Sequence, residues 1–278
     1  MGVVDEWMAD LRSVLAEEPS VIDARVGVFY TAVQLSTDAV GVAFTPRDLH
    51  DTVCCPKTAA GAPAAGRLVG KGAWELAAYA LSPSPLRRSL GIATLNALSS
   101  MALERWSWAP GEMYQRLDAL DAAEIRAGDH VVMVGSFIPF IKALKGRVEH
   151  LSVIDKHPEA LKSEERKLWV APDCAAAVLA SADVVLISGS ALVEGGIDEL
   201  LQACENARRR VLAGPTAPLW PTTFFRHGVD VLGGIRVVRG RELLDIVGQG
   251  GSGYLFENAA EKACIIRPAG RFAQTATP

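Results

Sequence analysis

Soft metal ligands crowd together in the segment HDTVCCPK, where Cys54 and Cys55 are adjacent, His50 stands four residues earlier and Lys57 two later. Thiolate and imidazole suit soft and borderline ions. Adjacent thiols reach one ion only with strain or outside help, so a metal here takes Cys54 or Cys55 with His50 or a residue from another part of the chain. Lys57 lowers a thiol pKa if the geometry brings it close. The competing reading packs one cysteine into the core and leaves the other in solvent. The other cysteines, Cys174, Cys204 and Cys264, are scattered, and the chain has no C-x-x-C. Reduced thiols are expected, without a structural zinc site.

A second set of residues lies where apolar runs end. HVVMV is followed by Gly135-Ser136-Phe137, LSVI by Asp155, VVLI by Ser188-Gly189-Ser190 and RRVLA by Gly214-Pro215-Thr216. Glycine permits tight turns and close approach to a ligand, and backbone N–H groups at helix starts favour an anion. GSFIPF is not G-x-G-x-x-G, so the dinucleotide fingerprint is absent. Asp155 follows Gly135 by 20 residues, a spacing that serves a ribose hydroxyl or equally a cap on a helix near Pro158. Turn geometry accounts for each loop singly; the four together point to a pocket. His50, His130, His150, His157 and His227 share no metal-ligand spacing. His130 and His150 begin strands on the edge opposite the pocket, and His227 sits at a helix end, where the dipole favours it. Nucleophile-elbow, H-E-x-x-H, P-loop and kinase patterns do not occur.

These turns need a frame, and the pattern supplies two. The N-terminal part reads β-β-α-α after an amphipathic helix carrying Trp7, Leu11, Val14 and Leu15. VIDARVGVFYTAVQL and AVGVAFTP form a hairpin. A long Ala-, Gly- and Pro-rich run from Arg47 to Gly70 contains the cysteine pair; connections of that length are functional or mobile. GAWELAAYALS is one helix. SPLRRSLGIATLNALSSMALERW is another, with Ser84 as N-cap and Pro85 at its first position. That helix is apolar nearly all round and therefore buried, except for an arc of Arg88, Asn96 and Ser99 edged by Ser89 and Ser100, which requires partners. Pro110-Gly111 marks the domain boundary, giving residues 1–110 and 111–278. In the second part apolar strands alternate with helices, which predicts a doubly wound, mostly parallel Rossmann-like sheet. VDVLGGIRVV reads as its last strand, and RPAGRFAQTATP as a loose tail.

Composition narrows the functions. Half the residues are hydrophobic and 22% charged, as in a globular protein. A net charge of −4 gives no basic footprint for nucleic acid, and the Arg208–Arg210 run reads as a solvated helix end. Signal-peptide and myristoylation patterns fail, and no apolar run approaches bilayer length. The expectation is a cytoplasmic protein without membrane or nucleic-acid partners; a homodimer is the general prior.

RRSLGIATLNALS, GDHVVMVGSFIPFI, LSVIDKHP, ADVVLISGSALVEGGIDELL, AGPTAPLWPTTFFRHGVDVLGG and VGQGG, in this order, resemble the family named "putative heavy-metal chelation". The resemblance covers about 85–270. It implies an enolase-N-terminal-like α+β domain joined to a Rossmann-like domain, with a site in the cleft between them bordered by Asn96, Gly135, Phe137, Asp155, Ser188, Gly189, Gly214, Pro215 and Thr216. The chain departs from the family at Glu194-Gly195-Gly196, where Asn and Thr commonly flank a Gly. A carboxylate there alters charge and hydrogen bonding, which changes the ligand or makes Glu194 a cation ligand.

Three functions stand open. One is binding of a divalent or heavy metal, or a metal complex, in the cleft. The second is an enzyme using S-adenosylmethionine or a dinucleotide on the Rossmann edge. The third is a small-molecule carrier or sensor.

Overall fold

The structure, a computed structural model, describes residues 1–47, 63–105 and 111–268. The Cys54, Cys55, His50 and Lys57 readings, and that of the tail beyond residue 268, lie outside the described residues.

Helix α1 (Val3–Val14) buries Val3, Trp7 and Leu11 completely. Strands β1 (Val21–Val26), β2 (Tyr30–Leu35) and β3 (Val40–Phe44) form an antiparallel meander. The expected hairpin is thus a three-stranded sheet, because the first run folds back at residues 27–29. Gly27 N–H donates to Tyr30 O at 2.9 Å, and any Cβ on Gly27 would overlap the Val247 carbonyl. A side chain is excluded there, so only glycine fits where the chain turns back. Next come α2 (Ala73–Ala77) and the long α3 (Pro85–Arg105). The Ser84 hydroxyl accepts from the Arg87 N–H at 3.5 Å, as its capping position requires.

The second part consists of β4 (Glu112–Gln115), α4 (Ala119–Ala122), β5 (His130–Val134), α5 (Ile138–Leu144), β6 (His150–Ile154), β7 (Trp169–Val170), α6 (Ala175–Ala180), β8 (Val184–Ser188), α7 (Ser190–Glu194), α8 (Ile197–Ala203), β9 (Arg209–Ala213), α9 (Pro221–Arg226), β10 (Val231–Val237), α10 (Gly240–Gly248) and β11 (Ala260–Ile266). Among the described residues these strands make one eight-stranded sheet in the order β4-β11-β10-β9-β8-β5-β6-β7. From β10 to β7 all pairs are parallel. Numbered from β5, the parallel strands run 3-2-1-4-5-6, the Rossmann order. The sheet continues past the expected last strand, since β11 and β4 add an antiparallel edge.

Side chains alternate across this sheet as the two-residue strand period requires. Val131, Met133, Val184, Leu186 and Val211 enter one core with Ile141 and Leu144 of α5. Val132, Val185, Ile187 and Leu212 enter the other. That second core also holds Trp7, Leu90, Leu95, Leu98 and Phe224, so the two halves of the chain share one buried apolar cluster. The opposite face of the small sheet, with Ala32, Val40 and Val42, packs on Leu243, Leu244 and Val247 of α10. No helix among the described residues is long and apolar enough to cross a membrane.

Candidate functional site

The crossovers that follow β5 and β8 leave on opposite faces of the sheet, which opens a crevice at the carboxyl ends of these strands. Gly135 has φ +92°, and a Cβ there would lie 2.9 Å from Ser188 Cβ. Gly214 has φ +103°, and its missing Cβ would sit 3.4 Å from the ring of Phe137. Phe137 in turn stacks on Phe140 at 5.1 Å. The Asp155 carboxylate accepts from the N–H and hydroxyl of Ser136 at 2.8 and 2.6 Å and from the His157 N–H at 2.9 Å. It therefore ties two neighbouring loops together. The helix cap expected near Pro158 does not form, because a 3-10 turn follows at Pro158–Ala160 and the carboxylate serves the preceding loop. The Ser190 hydroxyl donates to Ser188 Oγ at 2.9 Å. A Cβ on Gly189 would come within 2.5 Å of Ala217 N. Gly135, Ser136, Phe137, Asp155, Ser188, Gly189, Ser190 and Gly214 thus gather on one edge, with much of their hydrogen-bonding capacity spent on one another.

Helix α3 lies across this edge, and Arg88, Ser89 and Asn96 of its polar side find partners in the backbone, while Ser99 accepts from the Trp7 indole. Arg88 donates to Val193 O at 2.5 Å and Glu194 O at 3.0 Å, capping α7. Burial pushes the Arg88 pKa down, with the Glu194 charge acting in the opposite sense. Ser89 Oγ donates to Phe44 O at 2.7 Å. Asn96 Nδ2 donates to Val42 O at 2.8 Å and to Thr216 O at 3.1 Å. Thr216 is 3% exposed, and its hydroxyl accepts from the Phe44 N–H at 2.8 Å. Asn96 and Thr216 accordingly stitch the seam.

One atom in this seam is left over. Asn96 Oδ1 is buried and has no hydrogen-bond partner among the described residues. The amide orientation is fixed by its neighbours, because a flipped amide would set its oxygen against two carbonyls. Asn96 lines a cavity of about 190 Å³ with Ser100 and Glu104 of α3, Gln115 of β4, Pro215 and Arg236. A larger hollow of about 520 Å³ is shallower and lies along α10 alone, between Arg239 and Gln249. The smaller cavity is the better site, because both halves of the chain wall it and several polar side chains line it. Gly253, two residues past VGQGG, lies nearby: a Cβ there would be 3.1 Å from the Tyr30 hydroxyl and 3.5 Å from Pro215.

Glu194 is half-buried and pairs with Lys156 at 2.9 Å. Among the described residues, no three His, Cys, Asp or Glu side chains gather to hold a metal ion. Cys204 and Cys264 are fully buried, and burial pushes their thiols up to about 11 and about 12. The described donors are mainly oxygens, which suit hard ions better than soft ones. Sequence reasoning missed Glu104, Gln115 and Arg236. Glu104 was detectable at two helical turns from Asn96, and Arg236 as the charge inside an apolar strand.

The fold and seam define a two-part α/β protein with a Rossmann-ordered sheet. The chain belongs to the DUF364 family, described as "Putative heavy-metal chelation", which matches residues 118–266. Residues 9–99 match DUF4213, which carries the same description. A DUF364 protein of unknown function from Desulfitobacterium hafniense superposes with a TM-score of 0.75 at 20% identity, over 96% of this chain and 99% of that one. Another from Pyrococcus horikoshii gives 0.75 at 19% identity, over 95% and 100%. An uncharacterized protein of Methanocaldococcus jannaschii is 26% identical over 188 residues, which are 64% of this chain and 65% of that relative's length.

Proposed function

We propose that the chain binds a metal as a complex with a small chelating ligand, in the cavity between α3 and β10 where its two parts, 1–110 and 111–278, meet. The observation that carries this is a cavity walled by both parts and lined by the polar side chains of Asn96, Ser100, Glu104, Gln115 and Arg236. The family description supports the metal. The lack of a three-ligand cluster among the described residues favours a complex over a bare ion. Cys54, Cys55 and Glu194 are proposed as supplementary ligands that complete the coordination.

A second reading places a nucleotide-like cofactor, S-adenosylmethionine or a dinucleotide, at the β5/β8 edge. The 3-2-1-4-5-6 order favours it, while the engagement of Asp155 with Ser136 and His157 weighs against it. Elemental analysis of the purified protein, joined to thermal-shift screening with Zn²⁺, Ni²⁺, Cu²⁺, S-adenosylmethionine and NAD, separates the two. A ligand that binds only the folded form raises the unfolding midpoint. Metal-dependent stabilisation, weakened in Cys54→Ser, Cys55→Ser or Glu194→Gln, is the expected result. Metal-free protein stabilised by a nucleotide alone would overturn the first reading.

A further inference from the structure

Strand β1 is an outer strand of the small sheet, which runs β1-β2-β3. The Gly27 N–H donates to Tyr30 O where β1 turns into β2, and the backbone groups of β1 alternate in direction from that pair. Arg25 and Asp23 face β2, opposite Ala32 and Gln34. Ile22, Ala24 and Val26 turn their N–H and C=O groups outward, and among the described residues nothing bonds to them. Val21 closes the edge at one end, where its N–H donates to Lys71 O at 2.9 Å and its carbonyl accepts from the Gly70 N–H at 2.8 Å. The open stretch is Ile22 to Val26. Ile22 is 43% exposed and Val26 44%, and exposed Val69 stands beside the closed end. An open edge with exposed apolar side chains is a template for another strand. The other edges offer less. Strand β7 has two residues and β4 four, and on β3 the Val42 carbonyl and the Phe44 N–H are taken by Asn96 and Thr216.

We propose that this edge pairs with the same edge of a second copy of the chain, antiparallel about a two-fold axis at Ala24, so that the two small sheets become one. The segment Ile22-Asp23-Ala24-Arg25-Val26 is complementary to itself in that register. Ala24 meets Ala24 of the second copy, and Ile22 meets Val26, each as a pair with its backbone groups facing across the axis. Asp23 then stands opposite Arg25 of the second copy on one face, while Ile22 and Val26 cover each other on the opposite face. Moving the axis by one residue either way also keeps outward groups facing each other. It sets Asp23 against Asp23 or Arg25 against Arg25, and like charges directly opposite are destabilising. Within its own chain Arg25 already holds Asp23 and Asp245 at 2.9 and 2.7 Å. The charges of the second copy extend that network, and their chief effect is to reject the two alternative registers. The interface is isologous and closes on itself as a dimer. It lies at the far side of the small sheet from β3, the strand that lines the cavity, and does not depend on the metal reading.

The test is analytical ultracentrifugation of the full chain from about 1 to 100 μM. The expected result is a reversible dimer of twice the 29.6 kDa chain. Ala24→Pro removes the outward N–H at the axis and spares the bonds to β2, as proline on the solvent side of an edge strand can; it should give monomer. Val26→Lys changes an exposed side chain, so it should leave the unfolding midpoint near that of the parent and weaken association about tenfold or more. It carries the decision where Ala24→Pro lowers the midpoint. Adding Ile22→Glu to Val26→Lys sets opposite charges across the axis only when the axis lies at Ala24, and should recover much of the lost affinity. A parent chain that stays monomeric throughout the range overturns the proposal. So does a dimer that neither Ala24→Pro nor Val26→Lys weakens, since it must form on another surface. Loss of affinity in Val26→Lys with no recovery on adding Ile22→Glu overturns the pairing centred on Ala24.

Discussion

The amide nitrogen of Asn96 lies 3.1 Å from the carbonyl oxygen of Thr216, a contact between residues 120 apart in sequence. The Thr216 hydroxyl meanwhile accepts from the N–H of Phe44, in the half of the chain that contributes Asn96. The seam is therefore closed by reciprocal bonds. Thr216→Val keeps the shape of the side chain but strands a backbone donor. The expected loss is about 1–3 kcal/mol, read as a lower urea midpoint with an unchanged slope. A loss within experimental error would show that the seam does not depend on this bond.

Gly41 sets how closely β3 approaches α3. A Cβ there would overlap Ala93 O and Ala97 N and come 2.9 Å from the Asn96 carbonyl carbon. All three are backbone atoms of a buried helix and cannot swing aside. Gly41→Ala should cost about 3 kcal/mol or more, and it should weaken any ligand binding at Asn96 by moving the helix. Gly128→Ala is the control, since nothing lies within 4 Å of the place its new methyl group would take; its stability should stay within about 0.5 kcal/mol of the parent.

Much of this was legible in the residues. Strand-ending turns at Gly135, Ser188 and Gly214 were readable because a parallel sheet buried on both faces leaves continuous apolar runs broken by glycine. The arc on α3 was readable because Arg88, Asn96 and Ser99 interrupt an otherwise apolar helix. Strand β4 escaped because all four of its residues are exposed, which erases the alternation that marks a strand. Strand β11 escaped because AEKACII mixes alanines and charges and has low strand propensity. The sequence pattern also could not show that α10 would cover the far face of β1–β3, since that pairing joins segments far apart in the chain. The polar loops looked like ligand sites, yet Asp155 and Ser136 bind each other. Residue type shows capacity for a hydrogen bond and not who receives it.

Trp7 is fully buried, and its indole N–H donates to Ser99 Oγ at 3.0 Å. Its ring meets Phe224 edge-on at 5.5 Å. Ser99→Ala should cost about 1–3 kcal/mol, because the indole donor loses its partner in a dry core. Ser99→Thr, which restores a hydroxyl, should recover part of that. Equal stability of the alanine variant and the parent in urea unfolding would mean that the indole finds another acceptor.

Two buried thiols and a half-buried phenol make the protein sensitive to alkali. Burial raises the Cys204 thiol from 9.0 to about 11, the Cys264 thiol from 9.0 to about 12 and the Tyr30 phenol from 10.0 to about 12. In each case the folded state holds a proton that the unfolded chain gives up at lower pH. Their contribution is complete below pH 9, where both states are protonated, and is lost as pH climbs through the raised values. The unfolding midpoint should stay level from pH 7 to about 9 as far as these groups are concerned, then fall. In the Cys204→Ala/Cys264→Ala double variant the fall should be shallower, from a lower starting stability because two core side chains have been cut. Peptide mapping after iodoacetamide at pH 8 gives an independent check: exposed Cys174 should be alkylated in the native protein, and Cys204 and Cys264 only after denaturation. Parallel midpoint curves for the parent and the double variant above pH 9 would show that the thiols do not drive the alkaline loss.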